Sequence, residues 1–570
     1  MVSAVSALVV HNVCKKLTIS PNKRARNVFR VDHYDFSLPY SHQKMIERIN
    51  KNITSMGMKL KPSKCRSFSV TGGKACDVPF YIGDYTIPSI KNEEQKFLGK
   101  ILFFTGKQEE TFSLIFNSFL EGLERINKSM VRNEFKLWIY SNYFLPSKRF
   151  LLTVHNLTTT SLEKLDRLSD KYVKQWAGLP PSATNALLHM PVGMGFKSIT
   201  EMYMEAHTVS HTRTRLKGDT IVNSVVSSTL EREGEYIRKK STTCEAEATF
   251  NTIINQITHD STIPTFTGEN GTHLKHQFDT KVRNEVKKHL SVVNNEKWCE
   301  HVKSLSVQGN FLAMAAAEKQ DIVWKSSMFN LKQGTLKFLL NASIDTLPTA
   351  ANLKRWKKAS SDLCKLCKRR QTTNHVLSAC PVALDQKRYT WRHDSVISYI
   401  VNIVDPKFTV FSDIPGHNAP GGGSIPPELC VTVQKPDIVI LNKEKKEIHL
   451  FELTCPSEAN IEHWHREKNN KYAHFISDCT GYKCTVQCFE VSTKGFLTTR
   501  NHTTLKTLHK FMQPHHTLNN FKQNIAAISL IASHQIFISR SDPTFSAPPY
   551  ILPPIQTPTS RGQARRQGQL

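Results

Sequence analysis

The chain has 570 residues, with 76 Lys and Arg against 48 Asp and Glu and a formal net charge of +28. That length allows several hydrophobic cores, and the positive excess selects a polyanionic partner. Nucleic acid is favoured over a membrane, since no segment approaches the roughly twenty apolar residues of a spanning helix. Thirteen cysteines, an odd number, fit a reducing compartment better than a disulfide framework.

Residues 1–10 are apolar but short and lack a basic leader, so they make a poor secretory signal. The stretch from Met56 to Cys65 is a lysine-bearing turn, and Phe97-Leu98-Gly99 follows within a candidate strand pair. From Leu151 to Trp176, the positions of Leu162, Leu165, Leu168, Tyr172 and Trp176 predict a helix. Residues 217–272 are polar and rich in Ser, Thr and Glu, and read as a connector.

Cys364, Cys367, His375 and Cys380 form a C-x2-C-x7-H-x4-C pattern. Three thiolates and an imidazole in so short a segment match tetrahedral zinc ligation, and a loop this small needs the metal to fold. Lys357, Lys358, Lys365, Lys368, Arg369 and Arg370 surround it, a collar that suits a phosphate backbone. The run from Tyr389 to Val396 follows, in which Arg392 and His393 fit either DNA contact or the start of a helix. Residues 416–427, with three consecutive glycines and a Pro-Pro pair, form a loop without the strand-turn-helix context of a nucleotide fingerprint.

Lys435 to Leu441 and Ile448 to Thr454 are apolar runs of strand length on either side of the polar turn 442–447. A turn centred between Glu444 and Lys445 sets Asp437 opposite Glu452, with Cβ atoms about 4.5–5.5 Å apart on one face. Two carboxylates so close repel unless a proton or cation lies between them, which makes the pair a chelate for Mg²⁺. Ser457 is read as the N-cap of the next helix, on which Ile461, Trp464, Lys468, Lys471, Tyr472 and Phe475 share about 100° of arc. Two lysines inside an apolar stripe call for an anionic partner, either the carboxylate pair or a bound phosphate. Lys468 lies nearest the centre of the stripe and is the first choice. Glu458 fits an additional metal-proximal acid or a first-turn helix carboxylate. Lys483 to Val491 reads as a further core strand, with Glu490 structural.

Pro436-Asp437, fourteen intervening residues and Glu452-Leu453-Thr454 resemble the PD-(D/E)xK superfamily, specifically the restriction-like endonuclease of site-specific non-LTR retrotransposons. The usual lysine two residues after the second acid is Thr454 here, and the resemblance implies that Lys468 or Lys471 supplies the amine from the helix. The order of a Leu-Pro-Thr turn at 347–349, the C-C-H-C knuckle, Arg392-His393-Asp394 and the Pro-Asp hairpin resembles the C-terminal half of those polyproteins. The Met56–Cys65 turn and Phe97–Gly99 look like the end of a reverse-transcriptase palm and its primer grip, and the helix after them looks like a thumb. Where the resemblance calls for a catalytic aspartate pair the chain reads Arg30-Val31-Asp32-His33, so polymerase activity is not expected, and the fingers and earlier palm strands would lie before Met1.

The resemblance thus implies an α+β multidomain chain: a palm remnant over 1–110, a helical thumb over 111–216, the connector 217–272, and a helical linker with the zinc knuckle over 273–395. A restriction-like endonuclease of α/β fold over 396–515 and a largely disordered tail over 516–570 complete it, Arg561, Arg565 and Arg566 adding nonspecific affinity. It implies Zn²⁺ and Mg²⁺ as cofactors, a DNA target, an RNA template or RNA–DNA duplex as partners, and action in the nucleus after cytoplasmic synthesis. The alternative is a catalytically inactive, zinc- and nucleic-acid-binding remnant.

Overall fold

A computed structural model describes residues 8–10, 38–71, 74–91, 95–97, 100–102, 108–216, 272–317, 331–420, 424–429, 434–472 and 481–553. The expectations for Asp32 and His33, for the connector, for Gly421 to Gly423, for Phe475 and for the arginines at 561, 565 and 566 lie outside them. The chain divides into two compact units, one of residues 1–122, 147–165 and 202–271, the other of 123–146, 166–201 and 272–570. It is a mixed α+β protein with small sheets among many helices.

In the first unit a helix over Leu38–Ser55 leads into a turn at Gly57, whose φ of 75° suits a residue without Cβ. Beyond it β2 (Arg66–Thr71) pairs in parallel with β1 (Leu8–Val10) and antiparallel with β3 (Lys74–Cys76). Ile46, Cys65, Phe80, Ile82 and Ile87 form a small core there. β4 (Tyr81–Ile82) and β5 (Tyr85–Thr86) form a short antiparallel hairpin, and Phe97 ends β6 (Gln95–Phe97), which pairs antiparallel with β7 (Lys100–Leu102).

The single helix expected from Leu151 to Trp176 is corrected to two, Leu145–Val154 and Thr159–Ala177. The break has a local cause. Thr158 Oγ1 accepts the backbone N–H of Ser161 at 3.2 Å, so the threonine starts a new helix rather than continuing the old one. Leu162 and Leu165 are fully buried as their spacing requires.

The second unit holds the sheet β11-β10-β9-β8, with β8 Thr409–Ser412, β9 Ile438–Asn442, β10 Glu447–Thr454 and β11 Lys483–Glu490. β8, β9 and β10 run antiparallel in turn, and β11 lies parallel to β10. Both faces are covered, which is why the strands read as continuous apolar runs. Ile438, Ile440, Phe451 and Leu453 pack on one side with Val396, Ile400, Phe521 and Ile525; Val439, Leu441, Ile448 and Leu450 pack on the other with Tyr472.

The tail is the largest correction. Residues 518–538 form a 21-residue helix, buried on nearly every side, whose Phe521, Ile525 and Ile528 belong to the sheet's core. A helix apolar all round belongs inside a core. Residues 539–553 are held as well: the fully buried Arg388 donates to the carbonyls of Ser539 and Asp542, at 2.6 and 2.5 Å, and Trp391 Nε1 donates to Pro548 O at 2.8 Å. The Pro-rich composition concealed these backbone acceptors.

A buried ion pair in this unit predicts a pH response. His189 faces Asp170 Oδ1 at 3.2 Å and Phe196 O at 2.9 Å, and stacks on Trp298. Burial opposes the imidazolium, yet the Asp170 hydrogen bond and charge outweigh it and lift the pKa to about 9. Because this exceeds the unfolded value of about 6.5, the stabilisation is complete below about pH 6.5 and is lost as pH rises through 9. Thermal melts between those limits should lose on the order of 3 kcal/mol, at about 1.4 kcal/mol per pKa unit. His189→Gln should flatten that slope, and an unchanged slope would remove the pair as its source.

Candidate metal centre and carboxylate cluster

The four knuckle residues converge. Backbone bonds from Cys364 N to Arg369 O (2.7 Å) and from Lys368 N to Cys364 O (3.0 Å) close the first loop, with Lys368 in the left-handed region at φ 60°. His375 opens the helical turn His375–Ala379, and Cys380 precedes Pro381, which starts a short helix. The Sγ and imidazole donors lie within 4.8 Å of one another, and Cys367 Sγ stands 3.2 Å from His375 Nε2. Burial, then the charge of Arg369, lowers the His375 pKa and favours the neutral ligand form. Burial pushes the Cys380 thiol up to about 11, a cost that a bound cation removes. Three thiolates and one imidazole at these separations fit a closed tetrahedral zinc site.

The Leu347-Pro348-Thr349 turn docks on this loop: Thr349 caps the helix Ala350–Arg355, and Gln371 Oε1 accepts the N–H of Ala350 at 2.9 Å. Lys365, Lys368, Arg369 and Arg370 are exposed around the knuckle, Arg370 sharing Asp362 with Lys354.

The second site lies at one end of the β9–β10 hairpin. The register pairs Phe451 with Ile438, so the next pair out is Asp437 with Glu452. Each carboxylate is anchored by the partner strand's backbone: Leu453 N donates to Asp437 Oδ2 at 2.8 Å, and Asp437 N donates to Glu452 Oε2 at 3.2 Å. Lys468 Nζ, from the helix Ile461–Tyr472, donates to Glu452 Oε1. The structure therefore brings Asp437, Glu452 and Lys468 together, with the amine arriving from the helix as the strand position of Thr454 requires.

His393 completes the group. Its Nε2 lies 3.1 Å from Asp437 Oδ2 and its Nδ1 3.0 Å from Asp394 Oδ1. Burial opposes its charge, but Asp437 and Asp394 prevail and raise the imidazole well above its ordinary value. Burial likewise works against the Asp437 carboxylate, and His393 outweighs it and lowers that pKa. For Glu452 burial and the Asp437 charge win over Lys468 and raise it. The pair is thus split, Asp437 ionising readily and Glu452 reluctantly, because two like charges share one buried site. Hard oxygen donors on adjacent strands beside a lysine fit a Mg²⁺-type ion.

Other expected site residues stand elsewhere. Arg392 makes no surface for DNA: it is 1% exposed and donates to Leu377 O, Ser533 Oγ and Cys455 O. Lys471 is exposed, and its Nζ donates to Tyr472 Oη at 3.2 Å. Glu458 is buried against Lys494, whose N–H it accepts at 3.1 Å, and is committed to that pairing rather than to the acids. Ser457 precedes a 3-10 turn at Glu458–Asn460, and its hydroxyl makes no capping bond. Trp464 is 42% exposed rather than packed in the stripe. His393 was expected at a DNA surface or a helix start, and its bond to Asp437 spans 44 residues, which no local spacing encodes.

Residues 306–386 match a family model described as zinc-binding in reverse transcriptase, which covers the knuckle and the turn before it. The chain is related to a non-LTR retrotransposon polyprotein region. It is 22% identical over 442 residues to the retrovirus-related Pol polyprotein from type-2 retrotransposable element R2DM of Drosophila melanogaster, a match that covers 75% of this chain and 36% of that protein. The chain thus spans little more than a third of the length of that relative. Among the described residues no helix is long and apolar enough to cross a membrane.

Proposed function

We propose that this chain is a metal-dependent DNA endonuclease of the PD-(D/E)xK type, with its zinc knuckle and basic surface holding nucleic acid. The observation that carries the reading is the meeting of Asp437, Glu452 and Lys468 at one end of a mixed sheet. A divalent ion held by the two carboxylates would supply water activation and charge stabilisation at a phosphodiester. The chain's own groups do the rest. Lys468 places a fixed positive charge beside the scissile phosphate, and His393 with Leu453 N–H holds Asp437 in its ionised form and orientation.

The β8–β11 domain with its covering helices is read as the restriction-like fold, and residues 1–110 and 111–216 as a palm remnant and a thumb without polymerase activity. The proposed partners are a DNA target and an RNA template or RNA–DNA duplex, engaged in the nucleus after cytoplasmic synthesis. The exposed Lys365, Lys368, Arg369 and Arg370 support phosphate contact.

The full chain incubated with supercoiled plasmid and Mg²⁺ should yield nicked circles, EDTA should stop the reaction, and Asp437→Ala should lower the rate at least about 10³-fold, a loss in the range of removing essential catalytic groups. Equal rates in both proteins, or none in either, would leave the reading of an inactive nucleic-acid-binding remnant.

A further inference from the structure

Glu490 and His465 form a second acid–imidazole pair that the site above does not use. Glu490 lies on β11 two residues beyond Cys488, and the parallel register sets Cys488 beside Glu452 and Glu490 beside Thr454 on the same sheet face. The carboxylate is 1% exposed. Its Oε1 lies 2.7 Å from His465 Nδ1, while the buried Oε2 has no hydrogen-bond partner among the described residues. His465 precedes Lys468 by three residues on one helix, so the two side chains leave the same face about 5–6 Å apart at Cβ. Between the two acids sits the Cys488 thiol, raised by burial and then by the charges of Glu452 and Glu490, with Lys468 opposing them. The pair and the carboxylate cluster therefore adjoin.

A buried carboxylate on Nδ1 fixes an imidazole's orientation and leaves Nε2 for proton exchange. The His465 side chain is 22% exposed, and Nε2 has no protein hydrogen-bond partner among the described residues. The other charges about the pair are Glu462 and Arg466 on its own helix and Arg500 across from it. Arg500 already ties this helix down through Glu462, so an additional buried acid is not needed for anchorage.

The geometry points to His465, oriented by Glu490, as the proton donor to the leaving 3′-oxygen of the cleaved phosphodiester. This rests on the endonuclease reading. Water oxygen forms the new bond to phosphorus and releases its proton to solvent, and the bond from phosphorus to O3′ breaks with its electron pair passing to O3′. His465 Nε2–H protonates that oxygen, giving a free 3′-hydroxyl and a neutral imidazole that solvent reprotonates.

The test is the pH–rate profile of plasmid nicking by the full chain with Mg²⁺, for the native protein, His465→Gln and Glu490→Gln. The native rate should fall on the alkaline side as the donor loses its proton. His465→Gln should be about 100-fold slower at neutral pH, the lower range for a lost general acid, and should lack the alkaline limb. Glu490→Gln should move that limb to lower pH, and this shift decides the matter if His465→Gln is too slow to profile. Variants that slow nicking evenly while keeping the native limb, or a native profile without one, overturn the donor role and leave the nuclease standing. No nicking by the native chain overturns both.

Discussion

Lys468→Met should lower the Mg²⁺-dependent nicking rate by about 10²–10³-fold, the loss expected when one preorganised donor is removed from a developing charge. Lys468 is the cation that the structure sets on Glu452, and its burial is offset by that carboxylate and by Asp437, which together keep its pKa raised. Its removal leaves a 3%-exposed Glu452 beside the Asp437 carboxylate with no amine. The apo protein should therefore also lose about 1–3 kcal/mol, the cost of an unsatisfied buried group. Mg²⁺ should restore part of that stability in the variant, since the ion replaces the missing positive charge, but should not restore the rate. Lys471→Met provides the contrast. Lys471 is exposed and faces Tyr472, so its loss should change the rate less than about threefold on the ordinary scale of surface substitutions. Equal defects in the two variants, measured by nicking and by thermal melting with and without Mg²⁺, would mean that the helix contributes only bulk charge.

The second large effect is expected at the knuckle. Cys364→Ser removes one of four ligands from residues 361–380, a short segment otherwise held by its own backbone bonds, by Gln371 and Thr373, and by Tyr389 and Arg392 against its carbonyls. Zinc binding supplies folding free energy of roughly 10–16 kcal/mol in isolated knuckle-sized peptides, so the variant should lose the metal and the local fold together. The loss should travel. Arg392 donates from the middle of a buried helix to Leu377 O in the knuckle and to Cys455 O just past β10. The next residue, His393, holds Asp437. Releasing Leu377 leaves a buried guanidinium short of one acceptor and loosens the helix that presents His393. Metal analysis should show zinc lost in Cys364→Ser, hydrogen exchange should rise over residues 361–380, and the nicking rate should fall about tenfold, about 1.4 kcal/mol of transition-state stabilisation. Retained zinc would end the knuckle assignment, and lost zinc with an unchanged rate would end the coupling through Arg392.

Much of the carboxylate cluster was legible because a hairpin obeys simple arithmetic: alternation and turn position alone set Asp437 against Glu452. The same was true of the knuckle, where ligand chemistry and spacing are nearly the whole structure. Helical projection put Lys468 on the face that meets Glu452, while Trp464 and Lys471 on the same projected stripe are exposed, since a stripe tells which side chains share a face and not where the core ends along the axis. Long-range partners were out of reach. His393 with Asp437, Glu458 with Lys494 and His465 with Glu490 are joined across 44, 36 and 25 residues by packing, which local pattern does not carry. The tail misled for a different reason. Proline, serine and glutamine after residue 540 read as disorder, while the apolar run before it belongs to a core helix and the segment beyond is fastened by Arg388 and Trp391.

Asp437 and Glu452 are proposed to share one divalent ion, and Mn²⁺ binding followed by electron paramagnetic resonance in zinc-loaded protein measures that sharing. The native chain should bind one Mn²⁺ that Mg²⁺ displaces, and Asp437→Ala and Glu452→Gln should each lose it while keeping zinc. Binding of equal strength in all three proteins, or no displaceable Mn²⁺ in the native chain, would contradict the shared site.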